Sequence, residues 1–245
     1  MKSPIKPDSK ILVALPAFNE AGKIGNVVKK IKETSLPCTV LVVDDCSSDD
    51  TPIEAKAAGA EVIRHEKNQG VGAAIRTGIF YAIESGQEIF VVMSGDDQHE
   101  PQELPAVLEP LLHNEVDFVQ GSRRMKGGKV VNDRPFRKIT TQLYSLLFSI
   151  LTLRRVTDAT NGFRAFRLSI LNDPGIDLKQ KWLDRYELEP YLLFKAVTSR
   201  KIRFKEVPIT IYYHASRKQF TKMKPFRDWW RLAKPMVYLG LRLRK

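Results

Sequence analysis

Short apolar runs rich in β-branched residues alternate with stretches of helical period between residues 11 and about 123. The predicted strands are the runs at 11–18, 39–44, 61–65, 89–93 and 117–121. Between them, residues 21–34 and 71–83 repeat apolar side chains at intervals of three and four, which predicts amphipathic helices. This alternation is typical of a mostly parallel α/β sheet flanked by helices.

The regular alternation ends near residue 123. Residues 126–135 (KGGKVVNDRP) are predicted to form a mobile loop because of their Gly, Asn, Asp and Pro content. The later elements are predicted as helices at 137–153 and 184–198, a turn-rich approach to a strand at 157–166, and a strand at 205–213. With no linker, repeat or low-complexity tract, we expect one compact α/β domain over residues 1–215 and a basic appendage over residues 216–245.

Charge is divided unevenly along the chain. The 245 residues have a net charge of +12, and 43% of them are apolar, as in ordinary globular proteins. Residues 1–117 carry 11 basic and 19 acidic side chains, a sum of −8, whereas residues 118–245 carry 29 basic and 9 acidic side chains, a sum of +20. Such a split indicates two surfaces with different partners, one of them anionic.

The two cysteines and the polar N-terminus point to the cytoplasm. Cys38 and Cys46 form no CxxC motif and have no neighbouring His, which fits neither a disulfide scaffold nor a zinc site. Residues 1–10 do not resemble a signal peptide. The longest uncharged stretch, residues 139–153, has 15 residues, fewer than the about 18–20 of a membrane span. We expect a cytoplasmic chain that does not cross a bilayer by itself.

Three of the predicted strands end in polar clusters. The clusters are Pro16, Asn19 and Glu20; Asp44, Asp45, Ser47, Ser48 and Asp49; and Ser94, Gly95, Asp96, Asp97, Gln98 and His99. Any one cluster could simply cap a helix or form a turn. Together they lie where α/β sheets bind ligands, and their carboxylates need a cation such as Mg²⁺ or Mn²⁺, which bridges diphosphates. A metal-chelated nucleotide sugar satisfies this arrangement.

A glycine-rich loop, NQGVGAAIRTG, begins at Asn68 and contains Gly70 and Gly72. Its spacing is not GxxxxGK[ST], and no GxGxxG motif follows the first strand, which disfavours a nucleotide triphosphatase or a dehydrogenase. The glycines either let the backbone approach a phosphate or allow close packing of helix against sheet. Both explanations remain open from the sequence.

Five motifs together resemble the family 2 glycosyltransferases. They are ALPAFNE (14–20), VVDDCSSDDT (42–51), NQGVGAAIRTG (68–78), SGDDQHEPQE (94–103) and GSR (121–123). The continuation resembles the dolichol-phosphate mannose synthase branch and related polyprenyl-phosphate sugar transferases through TDATNGFRAFR (157–167), YELEP (186–190) and EVPI (206–209). The resemblance covers residues 10 to about 215 and implies a single-domain GT-A fold, which is Rossmann-like.

The resemblance also implies roles for individual residues. The nucleotide-sugar pocket would be lined by Pro16, Asn19, Glu20, Asp44, Asp45, Asn68, Gly70 and Gln98. Asp96 matches the second acid of the DxD motif, which holds the metal and the donor diphosphate, and Gln98 follows it. Arg123 and Arg137 match arginines that bind the acceptor phosphate. His99 is expected to shape the loop.

One position departs from the family pattern. The first acid of DxD is Ser94 here, and Asp97 stands where the family usually carries a neutral residue. Either Asp96 holds the ion with Gln98 and the diphosphate, or Asp97 turns in to help, or the metal site is lost. The predicted metal ligands are Asp96, Asp97 and Gln98. The predicted catalytic residues are Asp96, Asp97, Arg123 and Arg137.

A polyprenyl phosphate is already anionic at neutral pH and needs no general base. The resemblance therefore implies inverting transfer of a sugar, mannose or glucose first, from a nucleotide diphosphate to a polyprenyl phosphate at the cytosolic membrane face. One alternative is a hydroxyl acceptor, with Asp158, Asp184, Glu187 or Glu189 as the base. The other is a basic binding protein without catalytic activity.

The last 30 residues, 216–245, combine ten basic residues with several aromatic ones, a composition found at membrane interfaces. A helix from about residue 225 would place on one side Trp229, Leu232, Ala233, Met236 and Leu239. We expect peripheral attachment to a membrane through this segment, with packing on the catalytic domain as the alternative. Nucleic-acid binding is disfavoured because no nucleic-acid motif accompanies the segment.

Overall fold

The computed structural model describes residues 10–213, 227–241 and 243. Its strands are β1 (Ile11–Ala17), β2 (Thr39–Asp44), β3 (Glu61–Arg64), β4 (Ile89–Val92), β5 (Phe118–Ser122), β6 (Lys129–Val131), β7 (Arg164–Arg167), β8 (Phe204–Pro208) and β9 (Thr210–Tyr212). Its helices are α1 (Ile24–Glu33), α2 (Thr51–Ala57), α3 (Val71–Glu84), α4 (Leu104–Leu112), α5 (Pro135–Thr152), α6 (Leu188–Thr198) and α7 (Arg227–Gly240).

Seven strands form one sheet in the order β3-β2-β1-β4-β7-β5-β8, and β6 pairs with β9 in a separate sheet. Six strands of the large sheet run in one direction, and β7 runs antiparallel between β4 and β5. The predicted mostly parallel α/β fold is confirmed. Since β7 is reversed, its first residue, Arg164, lies at the same edge as the carboxyl ends of β4 and β5.

Side chains of the central strands are buried on both faces of the sheet. Along β1, Leu12 and Ala14 belong to a core covered by α3, α5, α6 and α7, whereas Val13 and Leu15 belong to a core covered by α1, α2 and α4. This is the period of two expected of a strand. Burial on both faces explains why these strands are continuous apolar runs in the sequence.

The predicted strand at 205–213 is in fact two strands in different sheets. Pro208 ends β8 because it has no N–H for a sheet ladder, and Ile209 then donates its N–H to the Ser122 carbonyl and accepts the Lys129 N–H. As a result β9 pairs with β6. Segment 126–135, predicted as a loop, therefore contains a short strand. Helix α2 was not predicted, because its seven residues bury only two side chains.

Helix α7 packs on the same face of the large sheet as α3, α5 and α6. Met236 and Leu239 are buried in the same core as α3 and α6, and the Tyr144 hydroxyl of α5 donates to the Leu232 carbonyl at 2.8 Å. The apolar side predicted for this helix therefore faces protein at these positions, as in the packing alternative. The boundary predicted after residue 215 and the side chain of Trp229 lie outside the described residues.

Among the helices in residues 10–213 and 227–241, none combines the length and apolar character that crossing a bilayer requires.

Candidate active site

Strands β1, β2 and β4 are parallel neighbours, so the polar residues that follow them meet at one edge of the sheet. Pro16 is half-buried near the end of β1. Asn19 donates its N–H to Ser47 Oγ at 2.9 Å, and Glu20 donates its N–H to Thr51 Oγ1 at 2.7 Å. The loops after β1 and β2 are therefore bonded to each other, as a common ligand pocket requires.

Asp44 and Asp45 are both buried at the end of β2, but they have different partners. The Asp44 carboxylate accepts the Ser47 N–H and lies 3.2 Å from Arg64 Nε. The Asp45 carboxylate accepts two N–H groups of the glycine loop (68–72), at 2.8 Å and 2.7 Å. Asp45 therefore fixes the conformation of that loop.

His65 supports Asp45, a role that the sequence analysis did not assign. Its Nδ1 lies 2.8 Å from the Asp45 carboxylate, and its Nε2 lies 3.0 Å from Thr77 Oγ1. A carboxylate accepts, so Nδ1 carries a proton and donates it to Asp45. The available signal was the position of His65 as the last residue of the predicted strand 61–65.

The glycine loop packs against residues 183–185. A Cβ at Gly72 would lie 2.0 Å from the Leu183 carbonyl oxygen, and one at Gly70 would lie 2.6 Å from the Asp184 carbonyl oxygen. Close packing therefore explains both glycines. The Asn68 side chain bonds to the Asp45 carbonyl at 3.2 Å. That Asn68 and Gly70 contact a nucleotide sugar stays a prediction.

Asp96 and Asp97 point to different surroundings. The half-buried Asp96 carboxylate accepts the Gln98 N–H at 3.2 Å and forms no ion pair within the described part of the chain. Asp97 has a φ of 61°, and its carboxylate bonds to Asn26 Nδ2 at 3.2 Å and to Lys30 Nζ at 3.1 Å on α1. Metal binding by Asp97 would require breaking the Lys30 pair, so Asp96 is the better placed ligand.

His99 holds the loop that carries Asp96. It is buried, its Nδ1 accepts the Ser94 N–H at 3.2 Å, and its Nε2 lies 3.0 Å from Asn161 Oδ1. Because Nδ1 accepts, Nε2 carries the proton and donates to Asn161. Burial lowers the pKa of His99, and the nearby Asp96 charge opposes that shift. These contacts agree with the loop-shaping role expected of His99.

Arg123, predicted to bind the acceptor phosphate, is instead enclosed by protein. Its Nε and Nη2 lie 2.8 Å and 3.0 Å from the buried Asp158 carboxylate, and its Nη1 donates to the Tyr213 hydroxyl at 2.7 Å. Burial lowers the pKa of Arg123, but the interactions of its guanidinium with Asp158 and Tyr213 have a larger combined effect, so the pKa is raised. Arg123 is therefore held in place by Asp158 and Tyr213, and its contact with an acceptor phosphate stays a prediction.

Arg137 is the more accessible of the two predicted arginines. It lies in the first turn of α5, half-buried, with its guanidinium carbon 4.5 Å from the centre of the Tyr213 ring. Among the side chains that the structure describes in residues 10–213 and 230–241, no carboxylate pairs with it. Tyr213, a residue that the motifs did not single out, thus connects Arg137 to the buried Arg123. The ring holds Arg137 in place while its charge remains available to an anion.

The four carboxylates considered as bases all have cationic neighbours. The pairs are Asp158 with Arg123, Asp184 with Arg76, Glu187 with Lys234, and Glu189 with Arg164. Burial raises the pKa of Glu187, although Lys234 and Arg231 oppose this. Asp158 and Glu187 are buried and Glu189 is partly exposed. A base for a hydroxyl acceptor would have to be found among acids that already stabilise the fold.

Comparison with known proteins identifies the class. A sequence model of glycosyl transferase family 2 matches residues 12–174. Combined with the sheet order and the acidic loops at its carboxyl edge, this match shows that the chain belongs to glycosyl transferase family 2, and it is a glycosyltransferase.

Individual relatives narrow the comparison. The chain is 33% identical over 206 residues to the undecaprenyl-phosphate mannosyltransferase of Micrococcus luteus, covering 82% of this chain and 83% of the relative. It is 33% identical over 245 residues to the UDP-N-acetylglucosamine–dolichyl-phosphate N-acetylglucosaminyltransferase of Methanococcus voltae, covering 92% and 95%. Glucosyl-3-phosphoglycerate synthase from Mycobacterium tuberculosis, crystallised with Mn²⁺, UDP and phosphoglyceric acid, superposes with a TM-score of 0.68 at 22% identity, covering 96% and 78%.

Proposed function

We propose that this glycosyltransferase moves a sugar, mannose or glucose, from a nucleotide diphosphate sugar to a polyprenyl phosphate, with inversion at the anomeric carbon. The observation that carries the proposal is Arg137, whose guanidinium rests on Tyr213 without a carboxylate partner in the described residues. The two relatives named for undecaprenyl phosphate and dolichyl phosphate support the same acceptor class.

The donor half of the site fits a divalent ion shared with a diphosphate. Mg²⁺ is usually held by one or two carboxylates together with substrate phosphates, and not by an all-protein cage. This matches a half-buried Asp96 without an ion pair in the described chain, and within the same residues no cluster of three or more metal-ligating acids, His or Cys occurs. Asp96 and Gln98 would hold Mg²⁺ or Mn²⁺, which would stabilise the negative charge of the leaving diphosphate.

In the acceptor half of the site, the protein orients the acceptor phosphate and does not need to supply a general base. An oxygen of the acceptor phosphate forms the new bond to the anomeric carbon while the bond to the donor diphosphate breaks and its electron pair stays with the diphosphate. No proton has to be removed, which agrees with the pairing of Asp158, Asp184, Glu187 and Glu189. The Arg137 guanidinium offers the acceptor phosphate a bidentate, charge-assisted contact.

A lipid-borne acceptor places the reaction at a membrane. We propose a cytoplasmic protein attached peripherally to the cytosolic face, to which the basic segment 216–245 contributes positive charge. The exposed Trp230 of α7 suits this position.

Product analysis tests the proposal. Purified protein is incubated with GDP-mannose or UDP-glucose and either a short polyprenyl phosphate or the matching polyprenol, with Mn²⁺ or with excess chelator. We expect a sugar phospholipid from the phosphate acceptor only, lost in chelator and in Asp96→Asn, and retained in Asp50→Asn, which changes an exposed acid.

Transfer to the polyprenol would favour the hydroxyl alternative. Full activity in excess chelator would contradict the metal assignment. No transfer and no donor hydrolysis with any nucleotide sugar would favour the binding protein without catalytic activity.

A further inference from the structure

Helix α5 turns its apolar side away from the protein. The side chains that it buries are Ser145, Phe148 and Thr152. The apolar side chains on it and just after it that are 45% to 90% exposed are Phe136, Ile139, Leu143, Leu146, Leu147, Ile150, Leu151 and Leu153. On an ordinary surface helix the apolar stripe faces the core. We call these eight residues the outer face of α5.

Hydrogen bonds on the opposite side fix this orientation. Ser145 Oγ accepts the Ala159 N–H at 3.0 Å, and Ser149 Oγ accepts the Val156 N–H at 2.9 Å. Both serines thereby hold the segment that leads to the Asp158–Arg123 ion pair. Rotating α5 to hide its leucines would leave these buried backbone groups without partners, which is costly. The exposure of the outer face is therefore a fixed property of the fold.

The charges around the outer face fit an anionic lipid surface. Residues 135–152 contain no Asp or Glu. Lys138 is exposed in the first turns of the helix, and Arg154 and Arg155 are exposed directly after its end. A helix with an apolar stripe and basic flanks lies in the plane of a membrane interface, where the apolar side chains enter the acyl boundary and the cations contact anionic headgroups.

The apolar surface continues onto the end of α7. A Cβ at Gly240 would lie 3.6 Å from Leu151 Cδ2, so this end of α7 lies against the outer face. Leu241 and Leu243, which follow Gly240, are 65% and 63% exposed. Monomeric soluble proteins rarely expose a contiguous apolar surface of this extent unless it binds something.

We propose that the outer face of α5 inserts into the surface of an anionic bilayer and is a principal membrane contact of this protein. The inference rests on the proposed function only through Arg137, which lies in the first turn of the same helix and is proposed to bind the acceptor phosphate. An α5 lying in the membrane plane holds the Arg137 guanidinium at headgroup depth, where the phosphate of a polyprenyl phosphate also lies.

Vesicle sedimentation tests the insertion with a matched pair of variants. The test variant is Ile139→Gln/Leu146→Gln, on the outer face. The control is Ile53→Gln/Ile83→Gln, which changes side chains that are 66% and 49% exposed on α2 and α3. Losing two inserted side chains should weaken binding to vesicles of phosphatidylcholine with phosphatidylglycerol roughly tenfold or more, whereas the control should bind like the unchanged protein.

Two further measurements separate the outcomes. Light scattering without lipid gives the molecular mass, and turnover with a water-soluble short-chain acceptor reports the chemistry alone. We expect the test variant to keep short-chain turnover and mass. Equal vesicle binding by both variants would overturn the inference. A dimeric protein without substitutions and a monomeric test variant would also overturn it, because the outer face of α5 would then contact a second copy of the chain. Vesicle binding that depends on α5, together with no transfer to any polyprenyl phosphate, would refute the proposed function and leave the membrane contact standing.

Discussion

Replacing Asp158 by Asn should destabilise the protein strongly, although the shape of the side chain is nearly kept. Asp158 is fully buried, and its carboxylate contacts both the guanidinium and the backbone N–H of Arg123. The amide of Asn removes the negative charge and leaves the Arg123 cation buried without its counterion. The Tyr213 hydroxyl and Thr160 remain as neutral partners of the guanidinium.

The magnitude follows from the burial of the pair. Removing one partner of a buried ion pair costs about 3–5 kcal/mol, because the remaining charge is desolvated without compensation. Against a total unfolding free energy of about 5–15 kcal/mol, this is a large fraction. For a chain of this size, where 1 kcal/mol shifts Tm by about 2–4 °C, Asp158→Asn should lower Tm by roughly 6–20 °C.

Thermal and urea unfolding followed by circular dichroism measure this change. Asp117→Asn is the matched control, because Asp117 pairs with the half-exposed Arg203 at the surface and its loss should matter much less. The double variant Arg123→Met/Asp158→Leu should recover part of the loss, since a pair of apolar side chains avoids the uncompensated charge. A decrease below about 1 kcal/mol for Asp158→Asn would refute the structural assignment of Arg123.

Three other predictions concern the acceptor, the glycine loop and a thiol. Arg137→Ala should lower kcat/KM for a polyprenyl phosphate about a hundredfold with unchanged Tm, because one charge-assisted bidentate contact is lost. Arg137→Lys should restore part of this kcat/KM. An equal decrease in hydrolysis of the nucleotide sugar without acceptor would argue against an acceptor role. Gly72→Ala should cost about 1–3 kcal/mol in urea unfolding, because its Cβ would meet the Leu183 carbonyl oxygen at 2.0 Å, whereas Gly25→Ala, with 3.6 Å to its nearest neighbour, should not destabilise. Burial raises the pKa of Cys38 to about 11, so in Cys46→Ser the remaining thiol should alkylate at pH 8 about a hundredfold more slowly in the folded than in the urea-unfolded protein; similar rates would contradict its burial.

The parallel part of the sheet could be predicted because its strands are buried on both faces and therefore appear as unbroken apolar runs. Strand β7 was harder to place, since RAFR is short and carries two arginines. Its position between β4 and β5 is decided by pairing with strands far away in sequence. No local pattern contains that information.

The site shows the same division. Motifs indicated which loops carry the chemistry, but side-chain partners depend on contacts across the fold. Asp97 turns to Lys30, 67 positions away, and Arg123 pairs with Asp158, 35 positions away. These contacts give Asp96 and Asp97, and likewise Arg137 and Arg123, different surroundings, although the sequence named each pair together as candidates.

The helical period of a sequence predicts which residues share one side of a helix. It does not predict whether that side faces the protein core or the solvent. For α7 the predicted apolar side is buried at Met236 and Leu239. For α5 the apolar side is exposed, because Ser145 and Ser149 on the other side satisfy backbone N–H groups of the neighbouring segment. The side predicted for α7 was correct at these two positions, and tertiary hydrogen bonding decided the orientation of α5.

The insertion of β7 between β4 and β5 has a consequence for biosynthesis. When the ribosome has completed β1 to β4, the outer edge of β4 has no partner, because its neighbour is made only at residues 164–167. Until then the nascent chain exposes an apolar strand edge able to pair with other chains. Translation products that stop before about residue 164 should therefore aggregate, and successful folding in the cell should depend on shielding this edge while α5 and the loop after it are being synthesised.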